Sequence, residues 1–219
     1  SLLSVFTILL SKLSGQEDIV IGTPLAGRQH PDLEGMIGMF VNTLPLRNRP
    51  RGGQRFREFL QEVKAWTLLS FDNQSYPYED LIDALKLERD TSRNPLFDVM
   101  LSFQNFEEVE LRIPGLTLKP YAPGHGVSKF DITLIATEAD DRLQLTFEYS
   151  TALYRGETMA RFIAYFMKIV SAVVGNPGVR IQDVEILSEE ERQQLLYGFN
   201  DTKADYPEDR TIMELFEDQ

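Results

Sequence analysis

Three short stretches of this chain carry polar residues that neither packing nor composition asks for. IGMFVNTLPLRNR at 37–49 sets Asn42 and Thr43 inside an apolar run, and NQSYPYE at 73–79 brings Pro77 and Glu79 together around a tyrosine. RDTSRNPLF at 89–97 puts Arg89, Asp90 and Arg93 within five residues, just ahead of a strand-like segment. Arginines and a carboxylate at that spacing suit a local ion-pair network around a tight loop. Asn42 and Thr43 suit turn chemistry. Pro77 and Pro95 each remove a backbone donor near an element boundary, and Asn94 precedes Pro95 in the extended conformation that position prefers. Proton-transfer chemistry has few carriers. His30 and His125 are the two histidines, and neither is paired with another in sequence. His30, beside Pro31, reads as a solvated or N-capping loop residue. His125, between Gly124 and Gly126, reads either as a plain loop or as the mouth of a tunnel. Two imidazoles so far apart, with no carboxylate pattern, make no metal site. Ser102, Gln104 and Asn105 are polar groups on an otherwise apolar strand, where alternation places Ser102 and Gln104 on one face.

The elements that must position these groups follow from periodicity. Leu2, Phe6, Leu9 and Leu13 recur at helical spacing, and Gly15 follows where a left-handed helix cap is wanted. DIVIGTPL at 18–25 is a continuous β-branched run, the pattern of a buried strand. A short helix is expected over 31–41, with Gly35 and Gly38 permitting close approach, and an extended segment over 43–49. The spacing predicts a helix over 54–70 with Phe56, Leu60, Val63 and Trp66 or Thr67 on one face, and a second over 79–87. Strands are expected at 96–104, 116–121, 130–137 and 143–149, the last two forming a hairpin around Asp140–Arg142. A long amphipathic helix covers 157–174 and stops at Gly175, Asn176 and Pro177. SEEE at 188–191 has capping-box form, and a polar, linker-like stretch follows. Helices and strands interleave irregularly, so the fold class is an α/β sandwich with a mixed sheet flanked by helices.

Composition narrows the function classes. The formal charge of −12 argues against a nucleic-acid or anionic-membrane surface, which needs a basic face. The absence of cysteine rules out disulfides and a thiol nucleophile, and fits a reducing cytoplasm. The run from Leu2 to Leu10 is too short to cross a bilayer. The chain has no initiator Met and opens on a helical pattern, so it reads as a piece of something longer.

At this point the sequence resembles the condensation domains of nonribosomal peptide synthetases. Ile37, Gly38, Phe40, Val41, Asn42, Thr43 and Arg47 match the family block Ile/Val-Gly-x-Phe-Val-Asn-Thr-x-x-x-Arg. NQSYPYE resembles His/Asn-Gln-x-Tyr-Pro-Phe-Glu, with Tyr78 where Phe is usual, and RDTSRNPL resembles Arg-Asp-x-Ser-Arg-Asn-Pro-Leu at every fixed position. These are the fifth, sixth and seventh of the family's blocks, in order. The resemblance covers about 1–187. Residues 188–219 look like the linker and the first residues of an adenylation domain.

What the resemblance implies is specific. The fold would be the C-terminal lobe of a two-lobed, chloramphenicol-acetyltransferase-like architecture. The whole domain would form a peptide bond between donor and acceptor substrates held as thioesters on the phosphopantetheine arms of carrier proteins. Its His-His-x-x-x-Asp-Gly motif is missing here, so no catalytic residue is expected in this chain, which alone would be inactive and would bind no cofactor of its own. Implied partners are the N-terminal lobe, the upstream and downstream carrier proteins and the adenylation domain that follows. Arg28 would pair across the lobe interface with the Asp of the missing motif, and Asp131 would anchor a strand reaching between lobes. Asn42, Thr43, Ser102, Gln104, Asn105 and His125 become candidates for lining the tunnel. Gly38, Phe40, Pro77, Glu79, Arg89, Asp90, Arg93, Asn94 and Pro95 are family-motif residues with structural roles. The rival readings are an epimerization domain, a docking platform that has lost its active site and, third, a free coenzyme-A acyltransferase. The interlobe face should leave apolar area exposed.

Overall fold

The computed structural model describes residues 1–33, 35–87, 90, 93–104, 116, 126–139, 142–204 and 210–219. Arg89, Asn105, His125 and nearly all of the strand expected at 116–121 lie outside the described residues, as do two residues of the expected hairpin turn. The chain divides into two compact units, Ser1–Glu185 and Ile186–Gln219.

The larger unit is built on a five-stranded mixed sheet, as its sequence predicts. Its strands are β1 (Ile19–Leu25), β2 (Asn42–Asn48), β3 (Val99–Gln104), β4 (Ile132–Ala139) and β5 (Arg142–Tyr149), in the order β2-β1-β3-β4-β5. β1 pairs antiparallel with β2 and parallel with β3; β3 and β4 are parallel, and β4 and β5 are antiparallel. The hairpin is present, with Ala139 opposite Arg142.

Helices α1 (Leu2–Ser14) and α4 (Gly156–Gly175) pack on one face of the sheet and on each other. Phe147 of β5 joins them, edge-on to Phe6 at 6.2 Å and to Phe166 at 5.7 Å. Ile21, Leu134, Ala136 and Ile169 fill the same layer and are fully buried. Gly15 ends α1 in the left-handed region at φ 70, the cap its position predicts. By length and composition α4 could cross a membrane; here Met159, Phe166, Ile169 and Val173 along it are buried.

Helices α2 (Phe56–Asp72) and α3 (Tyr78–Leu85) follow β2. Phe56, Phe59 and Val63 bury the first half of α2, but Trp66 on the same stripe is 58% exposed. It stands over a recess beside Phe59, Arg47 and Arg49 instead of joining the core. The periodicity is continuous, yet none of residues 64–72 is buried.

The helix expected over 31–41 is absent. A single 3-10 turn covers Pro31–Leu33, and described residues 35–41 have no regular structure. Two glycines lower the helical preference there. Gly35 meets nothing that a Cβ would touch. The close approach falls instead at Gly27, with φ +68, where a Cβ would overlap the Phe40 carbonyl oxygen.

In the smaller unit, Ser188 caps α5 (Glu189–Gln193) reciprocally: its Oγ accepts the Glu191 N–H at 3.1 Å, and Glu191 Oε2 accepts the Ser188 N–H at 2.8 Å. One π-helical turn, Gln194–Gly198, continues it. Thr211 caps α6 (Ile212–Asp218) in the same way through Glu214.

Candidate functional site: the open face of the sheet

Side chains of β3, β4 and β5 alternate between the helix-covered face and a second face with no helix over it among the described residues. Register sets the content of that second face. Met100, Thr133 and Glu148 form one row across three strands; Ser102, Ile135 and Thr146 form the next; Gln104, Thr137 and Gln144 form the third. Ser102 and Gln104 therefore do share a face, and the neighbouring strands extend it with hydroxyl and amide groups. A groove of about 460 Å³ runs over it, lined by Met100, Ser102, Lys129, Thr133, Ile135 and Glu148. Thr133, at the floor of the groove, is 7% exposed, while Lys129 at its edge is exposed.

One end of this face is closed by aromatic rings. Phe97 lies on Gly22 of β1, where a Cβ would enter the ring. Phe130 stacks on Phe97 at 5.7 Å, and Tyr78 at the start of α3 tilts against it, also at 5.7 Å. Burial raises the Tyr78 hydroxyl above its usual range, opposed by a hydrogen bond with the Leu96 backbone.

The polar motif residues hold the frame around the face. Asn42 Nδ2 donates to the carbonyls of Gln74 (2.8 Å) and Tyr76 (2.9 Å), while its Oδ1 accepts the N–H of Thr43 (2.8 Å) and of Tyr78 (3.3 Å). The start of β2 is thereby sewn to the turn containing Pro77, joining two of the sequence motifs. Glu79 sits exposed in the first turn of α3, where an acidic residue suits the helix dipole. Gly38 and Phe40 lie in the segment after β1, where the Phe40 ring packs near Gly38.

The third motif is held by a residue that lies just outside it. Asp98 Oδ2 accepts from Arg93 Nε (3.2 Å) and Nη2 (2.5 Å), and its Oδ1 accepts the Asn94 N–H at 3.3 Å. Its carbonyl takes the Asp131 N–H at 2.9 Å, and the Asp131 carbonyl takes the Ser150 N–H at 3.0 Å. Arg93 N–H also reaches the Asp90 carbonyl at 3.3 Å. Pro95 lies exposed between them. Asp131 is placed just ahead of β4, half-buried. Burial raises its carboxyl above the ordinary range, the Asp98 charge adds to this, and Arg93 opposes it. Tyr154 lines one cavity with Asp98 and Asp131, and its hydroxyl is raised by burial and then by their charges. Apolar-flanked carboxylates before two adjacent strand starts, at 98 and 131, were the available sequence signal.

Arg28 is half-buried after β1. Its guanidinium donates to the Leu33 carbonyl and lies 4.5 Å from the Phe40 ring centroid, and it has no carboxylate partner among the described residues. His30 is solvated: its Nδ1 lies 3.4 Å from Asp32 Oδ2 and accepts the Asp32 N–H at 3.3 Å. No metal-binding group is formed among the described residues. Ile37 and Met39 are almost fully exposed, and Val41, Phe103 and Val127 are largely so.

Comparison with known proteins agrees with this architecture. The condensation domain family matches residues 1–196. The chain is 47% identical over 220 residues to gramicidin S synthase 2 of Brevibacillus brevis, and 46% identical over 220 residues to tyrocidine synthase 3 of Brevibacillus parabrevis. All of the chain is covered in both comparisons, but only 5% and 3% of those proteins. A four-domain nonribosomal peptide synthetase bound to AMP and glycine superposes with TM-score 0.77 at 25% identity, over 87% of this chain and 16% of that one. The X-domain from teicoplanin biosynthesis superposes with TM-score 0.77 at 26% identity, over 85% and 43%. The condensation domain of the monacolin K polyketide synthase shares the fold at TM-score 0.72 and 22% identity, over 82% and 42%. This chain belongs to the condensation domain family of nonribosomal peptide synthetases.

Proposed function

We propose that residues 1–187 form the C-terminal lobe of a condensation domain of the two-lobed, chloramphenicol-acetyltransferase-like kind, and that 188–219 are the linker and first residues of an adenylation domain. The observation that carries this reading is the open face: a sheet with helices on one side, hydroxyl and amide rows on the other, and the exposed apolar Val127 beside its groove. A mixed face of this kind suits a second lobe closing over a reaction groove. The share of the teicoplanin X-domain that the chain spans, 43%, supports a half-domain.

In the closed domain, the amine of a downstream aminoacyl thioester attacks the carbonyl of an upstream acyl thioester. The amide bond forms, the carbon–sulfur bond breaks, and the thiol leaves on the donor arm. Both reactants are intrinsically reactive, so holding them about 3 Å apart supplies much of the rate. The histidine of the family motif would come from the other lobe, which leaves this chain inactive alone. Ser102 and Gln104, with Thr133 and Thr137 beside them, offer hydrogen-bond partners to the amides of a phosphopantetheine arm. Those arms belong to carrier proteins on either side, in a cytoplasmic synthetase. Arg28 supplies the cation for a buried carboxylate of the histidine motif; its half-buried guanidinium, without an acid partner among the described residues, supports that role.

An assay of the intact domain with two loaded carrier proteins tests this. Peptide should form on the acceptor carrier, and Arg28→Ala should lower turnover sharply in a folded protein. Near-normal turnover in that variant would reject the role given to Arg28, and no peptide from the wild type would reject the reading as a whole.

A further inference from the structure

We propose that Glu148 is the recognition group for the acceptor: its carboxylate receives the protonated α-amine of the incoming aminoacyl thioester and favours it over neutral nucleophiles of the same shape. This rests on the reading above that the open face forms one wall of the reaction groove. Four observations carry it.

First, register places Glu148 on that face, directly opposite Thr133, which itself lies opposite Met100. Second, among the described residues of β3, β4 and β5, no other carboxylate points to this face: its remaining positions are Met100, Ser102, Gln104, Thr133, Ile135, Thr137, Gln144 and Thr146. Third, Glu148 is half-buried yet has no ion-pair or hydrogen-bond partner among the described residues, so its charge is available to a ligand. Fourth, its surroundings strengthen that charge. Met100 and Ile135 line the groove, Thr133 beside it is buried, and a charge facing an apolar wall attracts a cation more strongly than one surrounded by water. Lys129 lies at the edge of the same groove. It repels an ammonium group there, so the groove offers one favourable place for the amine, beside Glu148.

The position is rigid as well. Glu148 stands on a strand paired with β4 along its length, so the backbone that carries the carboxylate needs no ordering when the acceptor arrives. The role is binding and orientation; deprotonation of the amine before attack belongs to the histidine of the other lobe.

The test uses the intact synthetase domain with a loaded donor carrier. A soluble aminoacyl pantetheine thioester serves as acceptor, and its α-hydroxy analogue serves as a neutral competitor. Glu148→Gln should raise the half-saturating concentration of the amine acceptor about tenfold, the loss expected for one charge-assisted hydrogen bond, with the inhibition constant of the hydroxy analogue unchanged. Glu148→Asp should recover part of the discrimination. Equal weakening of both ligands, or an unchanged amine acceptor, overturns the assignment to Glu148 while peptide formation by the wild type upholds the reading beneath it. Failure of the wild type to make peptide overturns both.

Discussion

Asn42 and Tyr76 are joined by a hydrogen bond of 2.9 Å from the Asn42 side-chain amide to the Tyr76 carbonyl, across more than thirty residues of chain. The same amide reaches Gln74, so one side chain fixes the path of the turn that leads into α3. Asn42→Asp keeps the shape but turns two donor contacts into oxygen facing oxygen. It should cost about 2 kcal/mol of domain stability, read as a lower denaturant midpoint with an unchanged slope. Stability equal to wild type would contradict the role assigned to this amide.

Asp98 holds the loop before β3 by three side-chain contacts. Its side chain is mostly buried, whereas Arg93 is largely in water. Removing the buried acceptor leaves the Asn94 N–H and the guanidinium without it. Asp98→Ala should therefore cost about 2 kcal/mol, and Arg93→Ala clearly less. Denaturant unfolding of the two variants checks the order; the reverse order would show that the arginine, not the carboxylate, organises the loop.

Asp131 offers a pH signature. Burial and the Asp98 charge raise its pKa. The folded domain then keeps this proton to higher pH than the unfolded chain does, so stability is lost as pH rises from the ordinary carboxylate value through the raised one. Asp131→Asn removes that loss. The variant should be more stable than wild type at pH 7, with the gap closing below pH 3.8, the ordinary value. A gap that is constant across that range would mean the carboxyl is not perturbed.

Two glycines separate backbone constraint from packing constraint. Gly27 has a left-handed φ of +68, and the space of a Cβ is taken by the backbone carbonyl of Phe40. Gly27→Ala should cost about 3 kcal/mol or more with no rescue by trimming a neighbouring side chain. At Gly22 the obstacle is the Phe97 ring. Gly22→Ala should likewise destabilise, and Phe97→Leu should recover part of that loss, a coupling visible in a double-mutant cycle. Strict additivity there would contradict the contact.

Elements with a strong period were legible in the sequence: α4, the β4–β5 hairpin, the cap at Gly15 and the capping box at Ser188 all lie where pattern places them, because each is decided by local chemistry. Trp66 was not, since periodicity identifies a stripe but not how far along it burial extends. Segment 35–41 differs from its expected helix because sparse apolar residues imitate half a helical turn when two glycines oppose it. At the candidate site, alternation put Ser102 and Gln104 on one face. Glu148 was not legible for a different reason: its significance comes from strand register and from the residues opposite it, and no single strand carries that information. Asp98 had a local signal, a carboxylate within five residues of Arg93 and Asn94.

The most direct measurement of the central claim is peptide formation from loaded donor and acceptor carriers by two samples: the intact domain, and residues 1–219 supplied alone. Product is predicted from the first and none above background from the second, with donor and acceptor thioesters recovered. Peptide made by residues 1–219 alone would show that these residues hold a complete active site and would contradict the half-domain reading.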